Sequence, residues 1–436
     1  MKRRQLTNNY IIKNALLWSS SSEPRSCDVL IKNGIVEKID RNIDAPAGTE
    51  EIDARGQSLI PIGVDPQVHL RVPGQPHKEL PLTGLRAAVR GGVGVVLTMP
   101  NTVPTIDNRE VCELARVELE GASSETGVQV LLTGAITKDL KGKESTDYTE
   151  LQQSGVAAYT DDGIGVESDD IMAKVFAASE VTGLPVLQHA EYAGHKGVLA
   201  HGPIQEKLGT TPYPSAAESD MVKRDIEVLR KFPKAKYHVL HVSSRHTLEL
   251  VKAAKKEGLN VTCEVSPHHL LFSSHDIKES NTGFKMNPPL RSPEDRVALR
   301  EGLANGLIDF VATDHAPHEA EAKGTNFKTS AYGTIGLEAS LRVLLKLNSE
   351  GKLPSQRLVQ VFSKKPAEFL ALDSSYGDIT VGSPLRAILV DTESEPTTFA
   401  ESDIESHSKN CCFLGAILPG KPILSINDQF CFELSE

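Results

Sequence analysis

In the stretch SLIPIGVDPQVHLRVPG, the polar residues Asp65, Gln67, His69 and Arg71 recur at every second position, while Val64, Val68 and Leu70 take the alternate ones. Successive side chains of an extended strand point to opposite faces, so this spacing gathers four polar groups on one side. An apolar interior has no ordinary use for such a row, whereas at a strand end it would converge on a ligand. The arrangement returns along the chain, each time just after a short apolar run. Asn101 ends VVLTMPN, Asp161 and Asp162 end VAAYTDD, and His189 and Glu191 end PVLQHAE. His241 follows in YHVLHVSS, Glu264 and His268 in TCEVSPHH, and Asp314, His315 and His318 in FVATDHAPH. Imidazoles and carboxylates without cysteine suit a catalytic Zn²⁺ with an open position for water. The chemistry to expect is metal-assisted hydrolysis of a carbonyl compound, a nearby carboxylate carrying the proton. No G-x-S-x-G elbow is present, so a serine hydrolase has little support.

Other readings stand beside these. His77, His195, His201, His246, His275 and His407 fall outside the strand ends and read as surface or internally satisfied residues. In the adjacent pairs Asp161–Asp162, His268–His269 and Asp314–His315, alternation lets only one side chain of each pair point inward. Glu264 reads equally as a ligand-facing carboxylate or as an ion-pair partner, and Cys263 as a small core residue.

The elements that must carry these residues alternate. DDIMAKVFAASEVTG, with Gly183 as its cap, precedes LPVLQHAE; AESDMVKRDIEVLRKF precedes KYHVLHVSS; RHTLELVKAAKKEG precedes LNVTCEVSPHH; SPEDRVALREGLANG precedes IDFVATDHAPH. Helix candidates at Leu82–Arg90 and near Arg109–Leu119 stand before VGVVLTMPN and VQVLLTGAIT. Repeated alternation of this kind predicts a parallel sheet with crossover helices, and over about 300 residues a (β/α)₈ barrel fits better than an open sheet. No dinucleotide fingerprint or phosphate loop opens any unit. Both chain ends have another texture, short extended runs broken by Ser, Asn-Gly and Pro-Ala-Gly turns. They predict one small β sandwich from residues 1–60 and 376–436, leaving residues 61–375 to the barrel. The stretch Glu319–Gly333, rich in small and polar residues, reads as a mobile loop able to close over a site.

The 436 residues carry 58 Asp and Glu against 47 Lys and Arg, a net charge of −11 that leaves no basic footprint for nucleic acid. A small anionic substrate stays compatible, because one local Arg outweighs a distant field. The six cysteines form no C-x-x-C pair, and Cys411 and Cys412 are adjacent, so reduced thiols in a cytoplasm are expected. The N-terminal MKRR is followed by a stretch broken at Asn8, Asn9, Lys13 and Asn14, which fits neither a signal peptide nor a membrane span.

These stretches, together with FKMNPPLRSPEDRVALREGL and GTIGLEASL, resemble the amidohydrolase superfamily over nearly the whole chain, and within it the dihydroorotase family of cyclic amidohydrolases. The resemblance implies a (β/α)₈ barrel with a β sandwich from both chain ends. It implies one or two Zn²⁺ per chain: one ion on His189 and His241, the other on His69 and Asp314, with Asp162 as the bridge. The bridging Asp is the pattern of a bacterial dihydroorotase subgroup, whereas hydantoinases and allantoinases carry a carboxylated lysine. Asp314 would also be the catalytic proton carrier; Arg71, Asn101, Asn287 and His318 would hold the substrate, Arg71 and Asn101 taking its carboxylate. The chain departs from the family at Gln67, which stands where a His-x-His pair has its first ligand, and so one ion position is weakened or lost. The resemblance therefore implies either zinc-dependent, reversible hydrolysis of dihydroorotate to N-carbamoyl-L-aspartate in pyrimidine synthesis, or a non-catalytic partner of aspartate transcarbamoylase. A homodimer is compatible with both.

Overall fold

The computed structural model describes residues 1–195 and 197–434. Eight parallel strands pair in unbroken chain order: β1 (Gly63–Val68), β2 (Val93–Thr98), β3 (Gln129–Gly134), β4 (Ala158–Thr160), β5 (Val186–Gln188), β6 (Tyr237–Val239), β7 (Val261–Val265) and β8 (Phe310–Val311). A parallel bridge between Val68 and His315, with the His69 N–H donating to His315 O at 2.8 Å, brings the two ends of the row together into a nearly closed barrel. Strands covered on both faces need no polar alternation, which is why β2 reads VGVVLT and is buried at every position.

The crossover helices begin and end where the sequence supplies caps. Ser168, Ser244 and Ser292 accept a backbone N–H at the starts of Asp169–Thr182, Arg245–Lys256 and Pro293–Asn305, and Asp295 returns the bond to complete a capping box at the last. Gly183 and Gly306 close two of these helices in the left-handed conformation. Short connections then deliver each strand's C-terminal end to the same side of the barrel, where the polar residues lie.

Both chain ends build a separate nine-stranded sheet. Its strands run in the order Lys2–Arg4, Phe430–Glu433, Lys421–Asn427, Arg386–Asp391, Ser58–Pro61, Tyr10–Leu17, Arg25–Lys32, Ile35–Asp40, with Glu50–Asp53 also pairing Tyr10–Leu17. Residues from nearly all of them, among them Tyr10, Val29, Ile52, Leu59, Leu389, Leu424 and Cys431, pack into one cluster, so the sheet curls around its own core. All six cysteines are free and buried. Among the described residues no helix is long and apolar enough to cross a membrane.

The segment expected to be a mobile loop is instead anchored. It contains a short helix, Ala320–Lys323, and the buried Lys323 ammonium donates to Ala331 O (2.8 Å), Gly333 O (2.9 Å) and Lys285 O (3.1 Å). An ammonium has three N–H donors, and here each meets a carbonyl.

Candidate active site

At the C-terminal ends of the strands lies a cavity of about 250 Å³, lined by His69, Arg71, Asn101, Asp162, His189, Glu191, His241, Asn287, Asp314 and His318 among others. Most of these residues follow a strand by one to three positions. At three of them the chain turns sharply: Arg71, His241 and Asp314 have φ of 61°, 31° and 49°. Left-handed backbone is unfavourable for residues other than glycine, by about 1–3 kcal/mol each, and persists only where the surroundings enforce it. Here it stands at residues lining the cavity.

On one side of the cavity, His189 Nδ1 lies 3.2 Å from Asp162 Oδ1 and 3.0 Å from His241 Nε2, and His241 Nε2 is 3.7 Å from the same carboxylate oxygen. The two rings meet edge to face. On the other side, His69 Nε2 is 3.1 Å from both Asp162 Oδ2 and Asp314 Oδ1. Asp162–His189–His241 and His69–Asp162–Asp314 are thus two triads whose ligand atoms could each hold a metal ion, and they share Asp162. Burial alone would raise the Asp162 carboxyl, but hydrogen bonds from His189, His241 and His69 outweigh it and hold the group well below its ordinary value. Burial disfavours charge on His189 and His69 as well, yet the facing carboxylates push them up to about 10 and about 9. Raised imidazoles facing a lowered carboxylate are the electrostatics of a cluster that draws in positive charge, and a metal ion bound by the same donors would displace their protons.

Second contacts fix the rings. His69 Nδ1 donates to Asn101 Oδ1 at 2.8 Å, which fixes the ring with Nε2 facing the two carboxylates, the nitrogen that would turn to a metal ion once its proton is displaced. His189 does the reverse, with Nε2 on Glu191 Oε2 at 3.0 Å and Nδ1 facing Asp162. Burial would raise Glu191, but His189 and its other partners bring it down to about 2. Gly163, at φ 93°, lies so close to Asn101 that a Cβ there would stand 3.1 Å from its Nδ2.

Of the alternating row that runs through β1 and past its end, only His69 and Arg71 line the cavity. Gln67 is wholly buried; its Nε2 donates to Asp162 Oδ2 at 3.1 Å, while its Oε1 has no hydrogen-bond partner among the described residues. Asp65 instead accepts the N–H and Oγ1–H of Thr313, tying β1 to the end of β8. The adjacent pairs resolve in the same way. Asp161 turns away to the backbone of Ile136 and Thr137, and Glu264 pairs with His238 at 3.1 Å. His268 and His269 are buried outside the cavity lining, and the His315 ring points at Glu79, 3.6 Å away.

The far end of the cavity suits an anion. Arg71 donates from Nε to Pro317 O at 3.2 Å and from its guanidinium to His318 Nε2 at 3.3 Å. His318 Nε2 is therefore the acceptor, Nδ1 carries the hydrogen, and that buried N–H has no partner among the described residues. Burial and the neighbouring Arg71 hold the ring neutral, its pKa down to about 2. Asn287 donates to Glu191 Oε2 at 2.6 Å, and its Oδ1 is a second buried atom without a partner among the described residues.

Two supports were not read from the sequence. Glu79, wholly buried, accepts from the Ser406 hydroxyl and from the His407 N–H at 3.0 Å while facing His315. Asn410 accepts the His318 N–H at 3.0 Å and donates to Ala316 O and Gly333 O at 2.9 and 3.2 Å. Neither sits at a strand end; Asn410 lies 92 residues beyond His318, and Ser406 and His407 lie 327 and 328 residues beyond Glu79. Glu191 did carry a signal, since it repeats the two-residue spacing after a strand.

The amidohydrolase family model matches residues 58–423. The chain belongs to the amidohydrolase family. The dihydroorotase of Listeria monocytogenes serotype 4b is 38% identical over 429 residues, covering 96% of this chain and 97% of that protein. The dihydroorotase of Brevibacillus brevis is likewise 38% identical over 432 residues, with coverage of 96% and 97%. Among solved structures, the L-hydantoinase (dihydropyrimidinase) of Arthrobacter aurescens superposes with a TM-score of 0.84 at 26% identity, over 96% of this chain and 95% of that one. This amidohydrolase is accordingly an enzyme, a hydrolase acting on cyclic amides; the family generally binds metal, and the two triads are candidate metal-holding clusters.

Proposed function

We propose that this amidohydrolase is a zinc-dependent dihydroorotase, which opens and recloses the cyclic amide of dihydroorotate in cytoplasmic pyrimidine synthesis. One observation carries the reading. A single small cavity has a carboxylate–imidazole cluster on one side and, on the other, Arg71 beside an unpartnered His318 N–H. A substrate spanning them carries both a hydrolysable ring amide and a carboxylate, which dihydroorotate does and the neutral rings of hydantoin and dihydrouracil do not. The 38% identity to proteins named dihydroorotase, against 26% to a hydantoinase, points the same way.

In this reading His69, Asp162, His189, His241 and Asp314 hold the metal, which supplies Lewis acidity to polarise the amide carbonyl and to lower the pKa of water. Arg71 and His318 clamp the substrate carboxylate, and Asn101, while orienting His69, presents its amide to the same end of the cavity. Asn287 Oδ1 accepts a ring N–H. Asp314 takes one proton from the attacking water; as the new C–O bond forms and the ring C–N bond breaks, it returns that proton to the departing nitrogen. The product is N-carbamoyl-L-aspartate, and reversal closes the ring. The intact anion clamp and triads favour this over a non-catalytic partner of aspartate transcarbamoylase.

The test is turnover by the purified, zinc-supplemented protein. Dihydroorotate should exceed dihydrouracil and hydantoin in kcat/KM by at least about 10²-fold, because the buried clamp groups are left unpaired with either neutral ring. Equal rates on all three, or none on dihydroorotate, would overturn the assignment.

A further inference from the structure

The two triads share Asp162 but differ in donor chemistry. Asp162–His189–His241 presents two imidazole nitrogens and one carboxylate oxygen. His69–Asp162–Asp314 presents one imidazole nitrogen and two carboxylate oxygens, and its fourth neighbour is the Gln67 amide, wholly buried against Asp162 Oδ2 at 3.1 Å. Gln67 Oε1 has no hydrogen-bond partner among the described residues, although a buried amide oxygen is rarely left so. Turning the amide about its last torsion exchanges oxygen and nitrogen without moving the chain. It would then set Oε1 beside the Asp162 carboxylate, where two oxygens repel one another unless a cation lies between them.

We propose that Gln67, through Oε1, joins His69, Asp162 and Asp314 in an oxygen-rich position that takes a harder, exchangeable divalent ion of the Mn²⁺ or Mg²⁺ kind, while zinc stays on Asp162, His189 and His241. Carboxylate and amide oxygens suit the harder ions, whereas a set dominated by imidazole suits zinc. A neutral amide in place of an imidazole therefore alters which ion is held as well as how tightly. The inference rests on the reading of this cavity as a metal-dependent site, and it is independent of which cyclic amide is the substrate.

The test begins with metal-free full-length protein reloaded with one equivalent of zinc, dialysed, and titrated with Mn²⁺. Binding is followed by the electron paramagnetic resonance signal of free Mn²⁺ and by elemental analysis. Wild type should take up one Mn²⁺ while keeping its zinc. Gln67→Ala should weaken Mn²⁺ by about tenfold or more with zinc content unchanged. Gln67→His should retain a second zinc through dialysis and exclude Mn²⁺. The inference falls if zinc-loaded wild type binds no Mn²⁺, if Gln67→Ala binds it as tightly as wild type, or if Gln67→His keeps only one zinc. Unchanged circular dichroism and thermal midpoint establish that each variant is folded. Dihydroorotate turnover is measured separately on the same samples, so an inactive protein with the expected ion selectivity would overturn the substrate assignment and leave this inference standing.

Discussion

The two sides of the cavity are held in place by different means. His189 and His241 follow β5 and β6 directly, and Asp162 follows β4, so their positions are set as soon as neighbouring strands pair. Their orientation comes from close at hand, Glu191 lying two residues from the ring it holds. His69, Asp314 and His318 lie at the seam where the barrel closes, joined by the Val68–His315 bridge rather than by a full strand pair. There the chain end supplies the support, Ser406 and His407 on Glu79 and Asn410 on the His318 loop. The difference predicts that the two sides are separable: damage to the seam should change chemistry and substrate affinity while leaving the Asp162–His189–His241 triad able to hold an ion.

The sharpest break in that comparison is Asp314→Asn. Loss of the proposed proton carrier should lower kcat on dihydroorotate by roughly 10²–10⁴-fold, while zinc taken up by the other triad stays at one per chain by elemental analysis. Loss of all zinc from this variant would show that the two sides are not separable. On the opposite side, Glu191→Gln keeps the shape but removes the carboxylate that orients His189. Zinc affinity, read by competition with a chromogenic chelator, should fall by about 10–100-fold. Unchanged affinity would mean that ring orientation there comes from packing alone.

How much of this was legible in the sequence follows the same division. Strand-end polar residues and helix caps are local signals, so the barrel, its crossover helices and the meeting of His69, His189, His241 and Asp314 around one cavity could be anticipated, whereas Asp162 was told from Asp161 only by the family resemblance. That both chain ends supply short strands was legible too, because turn residues break them at short intervals, but the expected sandwich is one nine-stranded sheet that curls on itself. Strand periodicity misled within β1, where Asp65 and Gln67 share a face with His69 but end below the cavity. Alternation fixes the face, and depth along the strand depends on where the barrel closes. Glu79 and Asn410 gave no signal, because their partners Ser406, His407, His318 and Ala316 are more than 90 residues away and only the fold brings them near; Lys323 gave none because a lysine's acceptors are not written in its own type or spacing. The loop 319–333 looked mobile from composition, since a lysine that staples three carbonyls reads like any surface lysine.

Asn410→Ala tests the seam at its support. It removes three hydrogen bonds to the His318 loop and the cavity wall. KM for dihydroorotate should rise roughly tenfold, equivalent to about 1.4 kcal/mol, with kcat changed far less, because the clamp is displaced while the ion cluster is untouched. Any residual hydrolysis of dihydrouracil, which has no carboxylate to clamp, should keep its KM. Parallel rises for both rings would mean that Asn410 maintains the whole cavity rather than the anion end.

The smallest effect concerns Lys323, whose carbonyl contacts hold the segment that ends at the cavity-lining Gly333. Burial, with the like charge of Lys285, pushes its ammonium from 10.5 down to about 7. Between those values the unfolded chain binds more protons than the folded one, so this group makes stability rise with pH across that window and contributes no slope below it. Lys323→Met removes the titration. Wild type should therefore gain on the variant in urea midpoint between about pH 7 and pH 10, while the variant's segment 319–333 is cut faster by protease at neutral pH. Parallel stability curves would show instead that the three carbonyls keep the ammonium charged throughout, and the seam would then be pinned by a full charge at every pH the fold survives.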